Sequence, residues 1–154
     1  MPTPFIFETT VDPEWIDYNG HMRDIYYGMV FSLAAEAVQT EIGLGEAYCN
    51  RTGCSVYLLE DHKYFLKEVK AGAPLRVEIS VLSCDDKRYH LYMRMVSDGA
   101  EAAISELMEL HVSQHPKPHA TEMPPEVVDK LRSVCLSNED ARALRYRSRS
   151  LALR

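Results

Sequence analysis

Residues 12–27 read DPEWIDYNGHMRDIYY, and the reading of this stretch decides the fold. DPEWIDYNGHMRD reads as a loop, in which a glycine lets the chain turn sharply. Asp17 stands three positions ahead of Gly20, His21 follows it directly, and Asp24 lies where a helical pattern opens. Read with Asp24 as its N-cap, a helix is predicted to Ile42, where Gly43 and Gly45 stop it. Met29, Val30, Leu33, Ala34, Ala37, Val38 and Ile42 form its apolar stripe. A stripe of that breadth has to be buried against another layer.

The chain on either side supplies that layer. Phe5–Val11 (FIFETTV) alternates and is rich in strand formers. Four more strands are predicted downstream, beginning with Cys54–Leu66. Leu75–Cys84 carries Leu75, Val77, Ile79 and Val81 at period two. In Lys87–Ser97, Tyr89, Leu91, Met93 and Met95 alternate with Arg88, His90, Tyr92 and Arg94; the last strand is Ala102–Ser113. Lys67–Pro74, Asp85-Asp86 and Asp98-Gly99 make the turns between them. Strand, long helix, then four strands is an α+β layout: a five-stranded antiparallel sheet wrapped around one central helix. After residue 115 the pattern changes. PKPHATEMPP is a proline-rich loop, Glu126–Val134 a short amphipathic helix, and the arginine-rich end shows no clear core face. Residues 1–115 therefore read as the domain and 116–154 as a helical, basic extension.

This order, with WIDYNGHMRDIYY at 15–27, resembles the hotdog-fold acyl-CoA thioesterases of the 4-hydroxybenzoyl-CoA thioesterase-like family, over residues 5–113. Together with RTGCSVYLLEDHKYFLKEVKAG at 51–72 and CDDKRYHLY at 84–92, it is similar to the betainyl-CoA thioesterases of carnitine degradation. The resemblance implies hydrolysis of an acyl-CoA to free acid and CoA, with betainyl-CoA giving glycine betaine. Other short or aryl acyl-CoA esters, and a non-catalytic module that binds an acyl thioester, remain open. It implies a homodimer or homotetramer with the active site between subunits. Asp17 is then the nucleophile or general base, and the N–H groups from Gly20 to Asp24 hold the oxyanion, with His21 orienting the thioester or hydrogen-bonding Asp17. Many relatives carry His-x-Asn-Asn where this chain has His21-Met22-Arg23-Asp24, which argues against a fatty-acyl substrate.

Composition narrows the classes further. The 154 residues suit one domain with a real core, with 46% hydrophobic and 26% charged residues. No apolar run is long enough for a membrane span, and MPTPFIFETT lacks a secretory pattern. Cys49, Cys54, Cys84 and Cys135 show neither CxxC nor zinc spacing, so no metal is expected and the thiols read as reduced, in a cytoplasmic protein. Without a glycine-rich phosphate loop, no cofactor is expected either. The net charge is −6; five arginines against two acids from Glu139 to Arg154 give +3 there and leave −9 for the rest. An acidic body excludes nucleic acid as the main partner, and the phosphates of CoA would need a local basic patch.

Each candidate has an ordinary alternative. Asp17 could simply accept a turn hydrogen bond, and Asp24 could only cap. Trp15, Tyr18 and Tyr26, with Glu60, His62 and Tyr64 on one face of a strand, are the candidate substrate contacts. Aromatic faces with a carboxylate suit a quaternary ammonium, but the same residues serve core packing or an exposed strand face. Glu36 on the helix raises the same question. Lys63, Lys67, Lys87 and Arg88 are the candidate CoA contacts, although lysines on edge strands also prevent aggregation.

Overall fold

The computed structural model describes residues 1–153; Arg154, counted in the basic end, lies outside it. The elements run β1 (Phe5–Thr10), α1 (Asp24–Ile42), α2 (Glu46–Thr52), β2 (Cys54–Phe65), β3 (Pro74–Cys84), β4 (Arg88–Ser97), β5 (Ala100–Ser113), β6 (His119–Ala120), α3 (Pro125–Ser133) and α4 (Asn138–Ala143). The strands form one antiparallel sheet in the order β1-β3-β4-β5-β2, with β6 paired to the end of β5. The predicted α+β wrap is therefore present, with strand ends shifted by a residue or two. The short α2, α4 and β6 carry too few residues to show a period and were not foreseen.

Alternation decides which sheet face meets the helix. Leu75, Val77, Ile79 and Val81 of β3, and Tyr89, Leu91, Met93 and Met95 of β4, are all buried. The stripe of α1 is turned from the expected one. Val30, Ala34, Val38 and Ile42 are buried as foreseen, but Tyr27, Phe31 and Ala35 join them while Met29 and Leu33 face outward. The physical reason is area and a tether. Tyr27 and Phe31 have more apolar surface to bury than Met29 and Leu33. The Tyr27 hydroxyl also donates to the Lys67 carbonyl at 3.0 Å, fixing the helix's rotation. At its far end Gly43 takes the left-handed conformation (φ 94°), and its N–H returns to the carbonyls of Gln39 and Thr40.

Residue 115 marks a change of pattern but not the limit of the core. Val127, Val128 and Leu131 of α3 are buried in the same cluster as α1 and β3, and the Leu136 N–H donates to the Val81 carbonyl. The arginine-rich end has a seat as well, on the outer sheet face. There the Tyr92 hydroxyl donates to the Arg145 carbonyl and the Tyr64 hydroxyl to the Arg147 carbonyl, at 2.8 and 2.9 Å. The Arg147 guanidinium donates twice to the Glu106 carboxylate, each at 3.0 Å, and the Ser148 N–H donates at 2.6 Å. Burial alone would raise the Glu106 pKa, but these donors outweigh it and hold the carboxyl at about 2.

Glu106 thus adds stability that is complete above its open-chain pKa of 4.5 and fades as pH falls through about 2. Glu106→Gln should cost about 2 kcal/mol of unfolding free energy at pH 7, the worth of hydrogen bonds to a charged group. Urea melts at pH 7 and pH 3 check this: the deficit should shrink at the lower pH, and an equal deficit at both would contradict it.

Candidate active site

Asp12–Met22 folds as a small hairpin against the start of α1. Asp12 caps a 3-10 turn over Pro13–Trp15, accepting from the Glu14 N–H at 2.8 Å. Ile16 and Met22 then pair as an antiparallel bridge. Between them Asp17–Gly20 makes the reversal: the Gly20 N–H donates to the Asp17 carbonyl, and Gly20 has φ 81°, which strains any side-chain-bearing residue. One Asp17 carboxylate oxygen accepts from the Asn19 N–H at 2.8 Å. The turn-forming reading of Asp17 is therefore realised; its second oxygen has no partner among the described residues.

Main-chain bonds, a ring stack and a side-chain pair hold this hairpin to the rest. The Met22 N–H donates to the Val69 carbonyl, and the Arg23 N–H to the Trp15 carbonyl, each at 2.9 Å. Trp15 stacks on Tyr26 with ring centroids 5.5 Å apart, pinning the turn to the first turn of α1. His21 Nε2 lies 3.2 Å from a Glu68 carboxylate oxygen and not against Asp17. Asp24 is the first helical residue and not the cap; Arg23 holds that position without a side-chain capping bond. The Asp24 carboxylate accepts from the Ile25 N–H at 3.0 Å. The Asp24 N–H has no acceptor among the described residues, and it points from a helix N-terminus, where negative charge is favoured.

The other candidates do not converge on this hairpin. Tyr18 is 92% exposed. Glu60 and His62 share a face as alternation requires, but it is the outer face, beside His90, Glu106 and the Ser148–Ser150 segment. Tyr64 lies on that face too, bonded to Arg147 and to the Arg149 guanidinium at 2.9 Å. The basic residues are dispersed. Lys63 points to the inner side and bonds Asp61. Lys67 lies beyond the end of β2, where its N–H meets the Ala102 carbonyl. Arg88 pairs with Leu110 at the other end of β5, eight residues or about 27 Å along the strand, and is tied to Asp85. Lys87 is in the same Asp85–Arg88 turn. Within one chain these four do not form one compact basic patch.

A second feature was missed in the sequence. A cavity of about 490 Å³ lies between α1 and the β5–β2 side of the sheet, and Glu36 and Glu109 line it. Glu109 is 3% exposed, makes no side-chain hydrogen bond among the described residues, and is pushed up to about 7 by burial. The signal was in SELMELH: alternation puts Ser105, Leu107, Glu109 and His111 on the core-facing side. His111 is satisfied there, with Nδ1 donating to the Thr121 carbonyl and Nε2 accepting from the Tyr48 hydroxyl. Glu109 is not. Its carboxyl binds a proton on folding, so its contribution is complete below 4.5 and lost as pH rises through about 7. Denaturant melts of Glu109→Gln should show the variant gaining about 1–3 kcal/mol on the wild type between pH 5 and pH 8; a constant difference would contradict this.

Comparison with known proteins follows the same lines. Residues 11–131 match the family profile of the thioesterase-like superfamily. A betainyl-CoA thioesterase of Pseudomonas aeruginosa is 45% identical over 109 residues, 70% of this chain and 69% of that protein. An L-carnitine dehydrogenase/betainyl-CoA thioesterase of Agrobacterium fabrum is 43% identical over 108 residues, 70% of this chain and 22% of that longer one. A crystal structure of a candidate thioesterase from Pseudomonas putida KT2440 superposes with a TM-score of 0.82 at 33% identity, covering 100% of this chain and 99% of that one. A Staphylococcus aureus protein solved in complex with CoA, 23% identical with a TM-score of 0.83 and covering 100% and 98%, shares the fold. Profile, relatives and architecture agree, and the chain belongs to the thioesterase-like superfamily.

Proposed function

We propose that the chain hydrolyses an acyl-CoA thioester to free acid and CoA, with betainyl-CoA as substrate and glycine betaine as product. The observation that supports this is that Asp17, in the hairpin, keeps one carboxylate oxygen without a partner, while Asp24, first residue of the helix that follows, keeps an N–H without an acceptor. Water attacks the thioester carbonyl and gives its proton to Asp17, or Asp17 itself attacks and water resolves the anhydride. The Asp24 N–H holds the oxyanion in either route, and the CoA thiolate leaves and is protonated. The betainyl group is supported by the 45% identical relative, which carries that name. Lys67 is the candidate basic residue nearest this hairpin, one position before the Glu68 that meets His21.

The assembly proposed is at least a homodimer through β2. That strand is a sheet edge, and Leu58, Leu59 and Phe65 are exposed along it. Ile25, Met29 and Leu33, spaced four apart, make an exposed apolar ridge on α1. Open edges and contiguous apolar surface are what an interface covers. The four unpaired cysteines fit a reducing compartment, the cytoplasm, and no helix among the described residues is long and apolar enough to cross a membrane.

Two measurements test these proposals. Purified protein, a panel of acyl-CoA esters and a thiol reagent should show CoA release with betainyl-CoA. Asp17→Asn, which keeps a turn-accepting oxygen, should lower kcat by about 100-fold or more, the scale of general-base catalysis. Undiminished turnover would remove Asp17 from the mechanism, and no turnover of any ester would favour a binding module. Light scattering should give at least twice the 17.6 kDa chain mass; an active monomer would end the dimer proposal.

A further inference from the structure

The cavity beside Glu109 is outside the hairpin site and has a charge pattern of its own. Four acidic residues line it, Glu36 from α1, Glu46 from α2, Asp61 from β2 and Glu109 from β5, against the single cation Lys63, a formal balance of −3. Lys63 is already bonded to Asp61. Nothing positive is therefore left to meet Glu109, which is almost wholly buried, opens onto the cavity and has no hydrogen bond. The Tyr89 hydroxyl, near Gln39 and Glu109, also lacks a hydrogen bond of ordinary geometry, as does the Ser105 hydroxyl on the same wall. Buried polar groups are normally satisfied, and of these Glu109 and Ser105 stand on the cavity wall without a protein partner, free to meet a bound group.

The chemistry selects the kind of occupant. A phosphate or carboxylate would be repelled by the lining. A neutral apolar group would leave Glu109 unpaired. A divalent metal needs several oxygens converging within about 2.0–2.6 Å. Ser105 and Glu109 are four residues apart on one strand, about 13 Å, and do not converge. Between the acids the lining is mixed, with Phe31, Ala35, Val56, Leu58 and Leu107 giving it apolar wall beside neutral polar groups such as Gln39 and Asn50. Methyl groups suit such walls, and a ring face such as that of Phe31 attracts a weakly hydrated cation.

We infer that this cavity binds a small organic ammonium, quaternary in kind, with Glu109 as its counter-charge. The cation has two sources, the acyl head of a thioester substrate or a free ammonium compound. Position bears on which. Asp24 and Gln39 are fifteen residues apart on α1, about 22 Å along its axis. A betainyl carbonyl lies one carbon from the ammonium, so a head seated at Glu109 does not reach the hairpin of the same chain. It would react there only with the hairpin of a second copy. The cation site itself does not rest on Asp17 or on hydrolysis.

The experiment is a calorimetric titration of the full chain with tetramethylammonium chloride, at pH 8.5 and constant ionic strength, against the neutral probe tert-butanol. Saturable binding of the cation at least tenfold tighter than tert-butanol is expected, and Glu109→Gln should weaken it at least tenfold. Equal binding of the two probes by the wild type overturns the inference whether or not the variant folds, as does unchanged cation affinity in a folded Glu109→Gln. The source is read from kcat/KM for betainyl-CoA and its uncharged isostere 3,3-dimethylbutyryl-CoA. A loss in Glu109→Gln confined to the charged ester supports the acyl head. Lost cation binding with both esters unaffected supports a free ligand. A wild type that binds the cation but hydrolyses neither ester upholds the site while rejecting thioesterase activity.

Discussion

The packing of α1 into the curl of the sheet is the constraint on which everything else depends. On the β3–β4 side the fit is close, with large side chains such as Ile79, Leu91, Met93 and Met95 fully buried. On the β5–β2 side the helix presents the small Gly28, Ser32 and Ala35 beside Phe31, and β5 presents the small Ser105 beside Leu107. Little volume is available there to fill the gap, so the same helix that makes the core on one flank leaves a cavity on the other. A Cβ on Gly28 would sit 3.6 Å from Lys63 Cε, in ordinary contact, so the end of the Lys63 side chain lies over this glycine. The helix N-terminus, left partly uncapped, then stands beside the hairpin that carries Asp17.

Two glutamates on β5 show how one strand sets opposite electrostatics. Glu106 and Glu109 are three residues apart, and an odd spacing puts them on opposite faces. Outside, Glu106 meets Arg147, a backbone N–H and His90 at 2.8 Å, and stays ionised down to about 2. Inside, Glu109 meets no donor and keeps its proton to about 7. Desolvation acts on both. What separates them is whether anything positive repays it.

The strands and the long helix were legible because their patterns repeat: period two from Leu75 to Val81 and from Tyr89 to Met95, and glycines closing α1. The rotation of α1 was not, since Met29 and Leu33 are as apolar as Val30 and only contact with the sheet decides between them. That the loop closes as a hairpin was not readable; the loop itself and its sharp turn at Gly20 were, because few residues take that backbone conformation. Its chemistry was less so: Tyr18 stands beside Asp17 in the chain but projects into solvent, and Glu60, His62 and Tyr64 share a face that turned out to be the outer one. Glu109 was hidden because a glutamate in a strand ordinarily faces water, and only the parity shared with Leu107 and His111 places it inside. The seat of the C-terminal segment could not be read at all, because it is built mainly from main-chain atoms.

That last property has a consequence for how the segment tolerates change. Its holds on the sheet are the carbonyls of Arg145 and Arg147 and the N–H of Ser148, with two arginine side chains committed, Arg147 to Glu106 and Arg149 to Tyr64. Main-chain groups are supplied by almost any residue, so the identities at 145, 148 and 150 are nearly free of the duty of attachment. Charge along this edge of the molecule can be rewritten without unseating the chain. The segment behaves as a surface whose lettering is separable from its fastening.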